Sequence, residues 1–360
     1  MTHCGYRLAF LGALLAAGAA RAETIGEMPG TEDFVVLPDG RLVVSSDARR
    51  QLRGARLTSG LYLVDPDSGA IDRAYLPGRA YGFDALACPL RLQGLALSPD
   101  GAKLYAINKT GARCNDAGGN DGGGKHDRIE IYAVGTSSVL RYEGSLPVWE
   151  GRDESGSGLP HSLNDLVVDA AGRVHASANP GNLRMMLGYR KGRTSGRVVT
   201  YDPASEAWTA RTAPLAQPNG VLVDGDRLLV TTTAPERTGA LLAFPLDAID
   251  VAPETVAALP GIPDNLTRDE DCRVWATAIY DFGGFAGHLM NEEKRAYTDV
   301  IVIPDLSAPE ALVVVAGEDS PADAVSVAAW HRGAVWVGQI FNSGLVRLEA
   351  EAPPASGCAD

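Results

Sequence analysis

Six short stretches of this chain begin with side-chain oxygens where an apolar strand would begin with carbon. They start at Glu32-Asp33, Gln93-Gly94, Asn164-Asp165, Asn219-Gly220, Asp264-Asn265 and Asp323-Ala324, each followed by a β-rich run and a turn. In the first three, the step from the leading residue to the turn glycine is the same: Glu32 to Gly40, Gln93 to Gly101, Asn164 to Gly172. Carboxylates and carboxamides, with no histidine or cysteine among them, are hard donors. Calcium takes about six to eight such oxygens in irregular geometry, whereas zinc and copper want nitrogen or sulfur. If the six strands converge on one axis, Glu32 and Asp264 balance the charge of one Ca²⁺. Asn164, Asn219 and Asn265 then complete its shell without excess charge. The same two carboxylates buried together without a cation would drive one of them to hold a proton. Turn-forming Asn and Asp at strand ends are the plainer reading, but turn chemistry does not require one shared register.

One residue further along stand Asp33 and Asp165. Successive strand residues face opposite sides, so these two belong to a different face. They are expected either to hold a second, structural Ca²⁺ deeper in the ring, with a backbone carbonyl near Leu95, or to be buried hydrogen-bonding aspartates.

The elements that must position these oxygens are hairpins. EDFVVLPDGRLVVSS from Glu32, QGLALSPDGAKLYAI from Gln93 and NDLVVDAAGRVHASA from Asn164 share one layout of strand, Gly/Asp turn and strand. NGVLVDGDRLLVTTT from Asn219, DNLTRDEDCRVWATA from Asp264 and DAVSVAAWHRGAVWVGQ from Asp323 repeat it. Further strand-like runs lie between the copies, and helical periodicity is absent over any long window. Four strands per unit and six units predict an all-β fold, a six-bladed β-propeller with a central calcium tunnel. No linker divides residues 23–351, which read as one propeller, with 352–360 as a C-terminal tail. GLVRLEA (344–350) is expected to supply the last strand, with the ring closing across the chain ends.

The 360 residues carry 45 acidic against 32 basic side chains, a net charge of −13. So acidic a surface repels phosphate backbones and argues against nucleic acid as a partner. Arg7, the apolar run from Leu8 to Ala20 and Ala20-Arg21-Ala22 have the form of a secretory signal over residues 1–22, cut before Glu23. Its apolar run is too short to span a bilayer, so no membrane insertion is expected, and the protein is expected to be exported, periplasmic or secreted. Cys88, Cys114, Cys272 and Cys358 then remain in an oxidising compartment. Cys88–Cys114 is the easiest local pair and would leave Cys272–Cys358; free buried thiols are the alternative.

G-T-E-D (30–33), Q-G-L (93–95), L-N-D-L (163–166), P-N-G (218–220) and P-D-N-L (263–266) follow one another at blade spacing. With these motifs the chain resembles the paraoxonase/arylesterase family of calcium-dependent lactonases, and more distantly the regucalcin/gluconolactonase and strictosidine-synthase-like propellers. The resemblance spans roughly Pro29 to Leu348 and implies a six-bladed propeller with calcium in its tunnel. It implies Glu32, Asn164, Asn219, Asp264 and Asn265 as ligands of a catalytic ion, and Asp33, Asp165 and the Leu95 carbonyl as ligands of a structural one. The chain departs from the family at Gln93 and Lys109, where the family carries the histidine pair proposed as its general base.

The expected activity is calcium-assisted hydrolysis of a small-molecule lactone or ester, the ion polarising the carbonyl oxygen. Asp264 is the first candidate for the base that activates water, and His161, three residues before Asn164, the second. A non-catalytic, calcium-stabilised binding propeller and a strictosidine-synthase-like propeller are the competing readings. The stretch 118–128 is neither a P-loop nor an EF-hand and reads as a surface loop. The aromatic and Met-containing stretch 281–297 reads as a loop and is expected to wall the substrate entrance. Trp275, Trp330 and Trp336 fall in strands and are expected in the core.

Overall fold

A computed structural model of the chain describes residues 21–49, 59–74, 90–109, 127–135, 140–151, 161–180, 194, 196–233, 238–248, 250–280, 282–355 and 358. Cys88, Cys114, residues 118–126 of the 118–128 stretch and the leading residues 1–20 lie outside them. Six four-stranded antiparallel sheets follow one another along the described chain as the blades of a six-bladed β-propeller. The inner strands of blades 1 to 6 are Asp33–Val36, Leu92–Leu97, His161–Val168, Val221–Asp224, Ile262–Arg268 and Val325–His331.

Stacking the blades explains the sequence pattern. A middle strand has a neighbouring blade on each face, so Leu42–Ser46, Gly60–Val64, Val174–Pro180, Val274–Ile279 and Ala334–Gln339 are buried along their whole length. The outermost strand Arg141–Ser145 of blade 2 alternates between exposed and half-buried residues instead. Among the described residues the core accordingly has six apolar wedges, one at each blade junction, and a seventh cluster around Ile279, Ala324 and Phe341. Phe34, Val44 and Trp336 fill the wedge between blades 6 and 1, and Ile107, Leu166 and Val199 that between blades 2 and 3. Trp275 and Trp336 are fully buried and Trp330 packs against the wedge between blades 5 and 6, as expected.

The ring closes across the chain ends as expected, but the places of the strands differ. The strand Ser343–Leu348 is third in blade 6, and the outermost place is taken by the N-terminal strand Ala22–Pro29. The two run antiparallel, with Ala22 opposite Leu348 and Ile25 opposite Leu345. Pairing the two chain ends in one sheet leaves no open blade between the first and last repeats. The 281–297 stretch, expected as a loop, contains the helix Phe282–Met290. No helix among the described residues is long and apolar enough to cross a membrane.

Candidate functional site

The inner strands of blades 2, 3, 5 and 6 enter their sheets through an irregular step, whereas those of blades 1 and 4 pair in regular register. Leu163 pairs with Ala178 and Leu166 with Ala176, so two residues of blade 3, Asn164 and Asp165, stand opposite one. Blade 5 repeats this with Asp264 and Asn265, and blade 2 with Gln93 and Gly94. Such a bulge twists the strand and turns consecutive side chains away from the regular in-and-out alternation. Two rings of residues result, the first containing Glu32, Gln93, Asn164, Asn219 and Asp264, the second Asp33, Gly94, Asp165, Gly220 and Asn265.

In the first ring three blades are joined directly. Asn164 Nδ2 donates to Asn219 Oδ1 (2.8 Å), and Asn219 Nδ2 donates to Asp264 Oδ1 (2.6 Å). Glu32 Oε1 accepts from Arg49 Nη2 at 2.7 Å, while Glu32 Oε2 is buried and has no hydrogen-bond partner. Burial raises the pKa of Glu32, with Arg49 opposing. Asp264 is pushed up to about 8, by burial first and then by the charge of Glu32. These are the signs of carboxylates gathered in a dry site with too little positive charge. Among the described residues no group of three His, Cys, Asp or Glu forms a metal cluster; the two carboxylates here are supplemented by amides. An all-oxygen donor set and an orphaned buried carboxylate oxygen fit a hard divalent cation.

The second ring alternates large and small residues. Asp33 Oδ1 and Oδ2 accept from the amides of Phe34 (2.8 Å) and Leu95 (2.7 Å). Asp165 does the same with Leu166 (2.8 Å) and Val221 (2.8 Å). Each aspartate thus ties its own blade to the next. Glycines stand between them because neighbouring backbone leaves no room. A Cβ on Gly94 would lie 2.7 Å from the Asn164 carbonyl oxygen, and one on Gly220 would lie 2.5 Å from the Leu266 nitrogen. Asp33 is raised well above the ordinary carboxylate value by burial and then by Asp165. Asp165 is pushed up to about 8, chiefly by burial, against which its backbone donors act. Asn265 is buried in the same register.

Blade 6 departs from the sequence alignment. Asp323 does not reach the axis: its carboxylate accepts from Arg295 Nε (2.8 Å) and the Ala296 amide (2.8 Å). Ser326 stands there instead, its Oγ donating to the Glu32 carbonyl. The hairpin of blade 6 is two residues longer from Asp323 to Gly333 than the corresponding step in blades 1–3, so Asp323 is out of their register.

Residues that no repeat pattern singled out surround the first ring. Asp47, fully buried, accepts from Arg91 Nε (2.8 Å), Gln93 Nε2 (3.1 Å) and Arg49 Nε (3.1 Å). Burial alone would raise its pKa, but Arg49 and Arg91 hold it below the ordinary value. Lys109 Nζ donates to Asp127 (2.8 Å) and to Ser162 Oγ (2.7 Å). Asn179 donates to the Pro218 carbonyl (2.7 Å), just ahead of Asn219, and its own Oδ1 is buried without a partner. Ile279, Ile340 and Phe341 form a buried apolar cluster with Phe285 of the helix, whose ring lies 4.9 Å from that of Phe341. His161 opens the inner strand of blade 3, opposite Pro180.

No protein-family model matches the chain, and no curated protein matches it in sequence. Solved structures resemble it in fold. A gluconolactonase from Xanthomonas campestris is 18% identical with a TM-score of 0.55, over 94% of this chain and 93% of that one. A luciferin-regenerating enzyme is 13% identical with a TM-score of 0.57, over 94% of this chain and 98% of that one. A Trypanosoma rangeli sialidase is 10% identical with a TM-score of 0.53, over 89% of this chain and 55% of that one. At such identities the likeness is one of fold, and proteins of different chemistry share it.

Proposed function

We propose that this chain is a calcium-dependent hydrolase of small lactones or related esters, acting at the oxygen-lined end of the propeller axis. The observation that carries the reading is the linked set Asn164–Asn219–Asp264 beside Glu32, whose buried Oε2 has no partner. Glu32, Asn164, Asn219 and Asp264, with Asn265 behind them, are the residues that would hold Ca²⁺. The chemistry a bound ion supplies is Lewis-acid polarisation of a carbonyl oxygen. Asp33, Asp165 and the Leu95 carbonyl are the proposed holders of a second, structural ion, supported by the mutual repulsion of two buried carboxylates. The gluconolactonase neighbour makes lactones the first substrates to test.

Asp264 is the proposed base. Its high pKa arises from burial and from Glu32, and Asp264 would be ionised at neutral pH if a cation were held among these oxygens. It can then take a proton from water while Asn219 Nδ2 holds one of its oxygens in place. His161, at the head of the Asn164 strand, is the second candidate. Phe285, the half-buried helix residue packed on the Ile279–Ile340–Phe341 core cluster, is the candidate to meet an apolar part of the substrate. The exported location expected from residues 1–22 would supply calcium at the concentrations such sites use.

The competing reading, a calcium-stabilised binding propeller, draws support from Gln93 and Lys109. Neither supplies an imidazole: the Gln93 carboxamide donates to Asp47, and Lys109 is ion-paired with Asp127. A panel of chromogenic esters and lactones, assayed with and without chelator, separates the two. Turnover that chelator abolishes and calcium restores is expected, and Asn219→Ala should lose both calcium retention and turnover. Calcium-dependent melting with no turnover on any substrate would select the binding protein; full activity in Asn219→Ala would reject the site.

A further inference from the structure

One positive charge already occupies the candidate shell, and it belongs to the protein. Arg49 follows the strand Leu42–Ser46 of blade 1, and its guanidinium meets Glu32 of the first ring. Its Nη2 donates to Glu32 Oε1 at 2.7 Å and its Nε to Asp47 Oδ2 at 3.1 Å. Asp264 also feels its charge. The two acceptors differ in kind. Asp47 lies outside the proposed ligand set and is fixed by Arg91 Nε (2.8 Å), Arg91 Nη2 (3.2 Å) and Gln93 Nε2 (3.1 Å). Glu32 has one oxygen committed to Arg49 and the other to nothing.

Resting on the reading of this end of the axis as a divalent-cation site, we propose that Arg49 is a built-in competitor for that site. With no ion bound, its guanidinium neutralises Glu32. With an ion held, it gives up Glu32 Oε1 and keeps Asp47 as its anchor. A guanidinium is charged at every physiological pH, so no proton loss relieves the contest. Two like charges a few ångströms apart in a poorly solvated site repel strongly, so the ion binds against both the broken Arg49–Glu32 pair and the residual repulsion. Calcium affinity is therefore set below what the oxygen donors alone would give. Arg49 acts through Glu32, so its role is one of tuning the metal site rather than touching the substrate.

The test is calcium binding by the purified full chain, followed by titration calorimetry with Ca²⁺ alone as the probe. Arg49→Met removes the charge while keeping much of the side-chain volume, and Arg49→Gln removes it while keeping a polar end. Both should bind Ca²⁺ about tenfold tighter or more than the wild type. Arg49→Lys keeps the charge and should stay within about threefold of the wild type. Circular dichroism in chelator checks that each variant is folded, and a folded example of either neutral variant suffices. Wild-type binding that is lost in Asn219→Ala, with no tightening in Arg49→Met or Arg49→Gln, would overturn the competitor role and leave the site standing. Absence of binding by the wild type and by all Arg49 variants would overturn the site and the competitor together.

Discussion

Asp264 holds a proton in the ion-free protein because burial and the charge of Glu32 both disfavour its anion. That has a consequence for stability. The unfolded carboxyl loses its proton at its ordinary value of 3.8, the folded one at about 8. Between those values the folded state binds more protons, so the stability of the ion-free protein falls as pH rises from about 4 to about 8. Melting temperatures in chelator should decline across that window, and excess calcium should flatten the decline. Asp264→Asn should flatten it only in part, since Asp33 and Asp165 are shifted the same way, and should forfeit the gain from calcium. Stability in chelator that holds level or climbs over this range would contradict the assignment.

At the scale of elements, the approach of neighbouring inner strands depends on the large–small alternation of the second ring. Gly220 packs against the backbone of Asn265 and Leu266, and its own amide donates to Thr231 Oγ1 (2.7 Å). Backbone cannot yield as the far end of a side chain can, so Gly220→Ala should cost about 2–3 kcal/mol of stability. It should also weaken calcium binding, because the displaced strand carries Asp264. Chemical denaturation together with calcium titration measures both; a variant of wild-type stability would show that the inner strands are not packed to contact. The hairpin turns are encoded more locally. Asp169 takes the amides of Ala171 (2.9 Å) and Arg173 (2.9 Å) on one oxygen, and Arg173 Nε (2.6 Å) on the other. Asp269 does the same in blade 5 with Asp271 and Arg273, adding Trp275 Nε1 at 2.7 Å.

For the molecule as a whole, two devices fix the ends of the ring. The N-terminal strand Ala22–Pro29 completes blade 6, and Cys272 is bonded to Cys358 across a sequence separation of 86. Cys272 sits in the blade 5 hairpin turn at φ 66°, where four of the other turns use glycine at the matching place. The tail is held there also by Arg273 donating to the Pro353 carbonyl (2.8 Å). This turn is at the opposite end of the inner strand from Asp264. Cys358→Ser should therefore lower stability by about 2–4 kcal/mol, the range for closing a long loop, and leave calcium affinity unchanged. A change in affinity as large as that of Asn219→Ala would mean the tail reaches the site by a route the contacts here do not provide.

The sequence alone determined the number of hairpins, their order and the register of Glu32, Asn164, Asn219 and Asp264, because turn chemistry and two-residue alternation act between residues close along the chain. The Cys272–Cys358 pairing was reached by elimination, and the structure contains it. Only the tertiary structure decided which chain end supplies the outermost strand, that Ser326 rather than Asp323 meets Glu32, and that the glycine-rich run Phe282–Met290 is a helix. Arg49, Asp47 and Arg91 belong to the same class: they lie beyond the hairpin pattern, on loops and strand ends with no period to mark them. What fixes these features is contact between blades, such as Ser326 with Glu32 across 294 residues, and such contacts exist only once every wedge of the ring has closed.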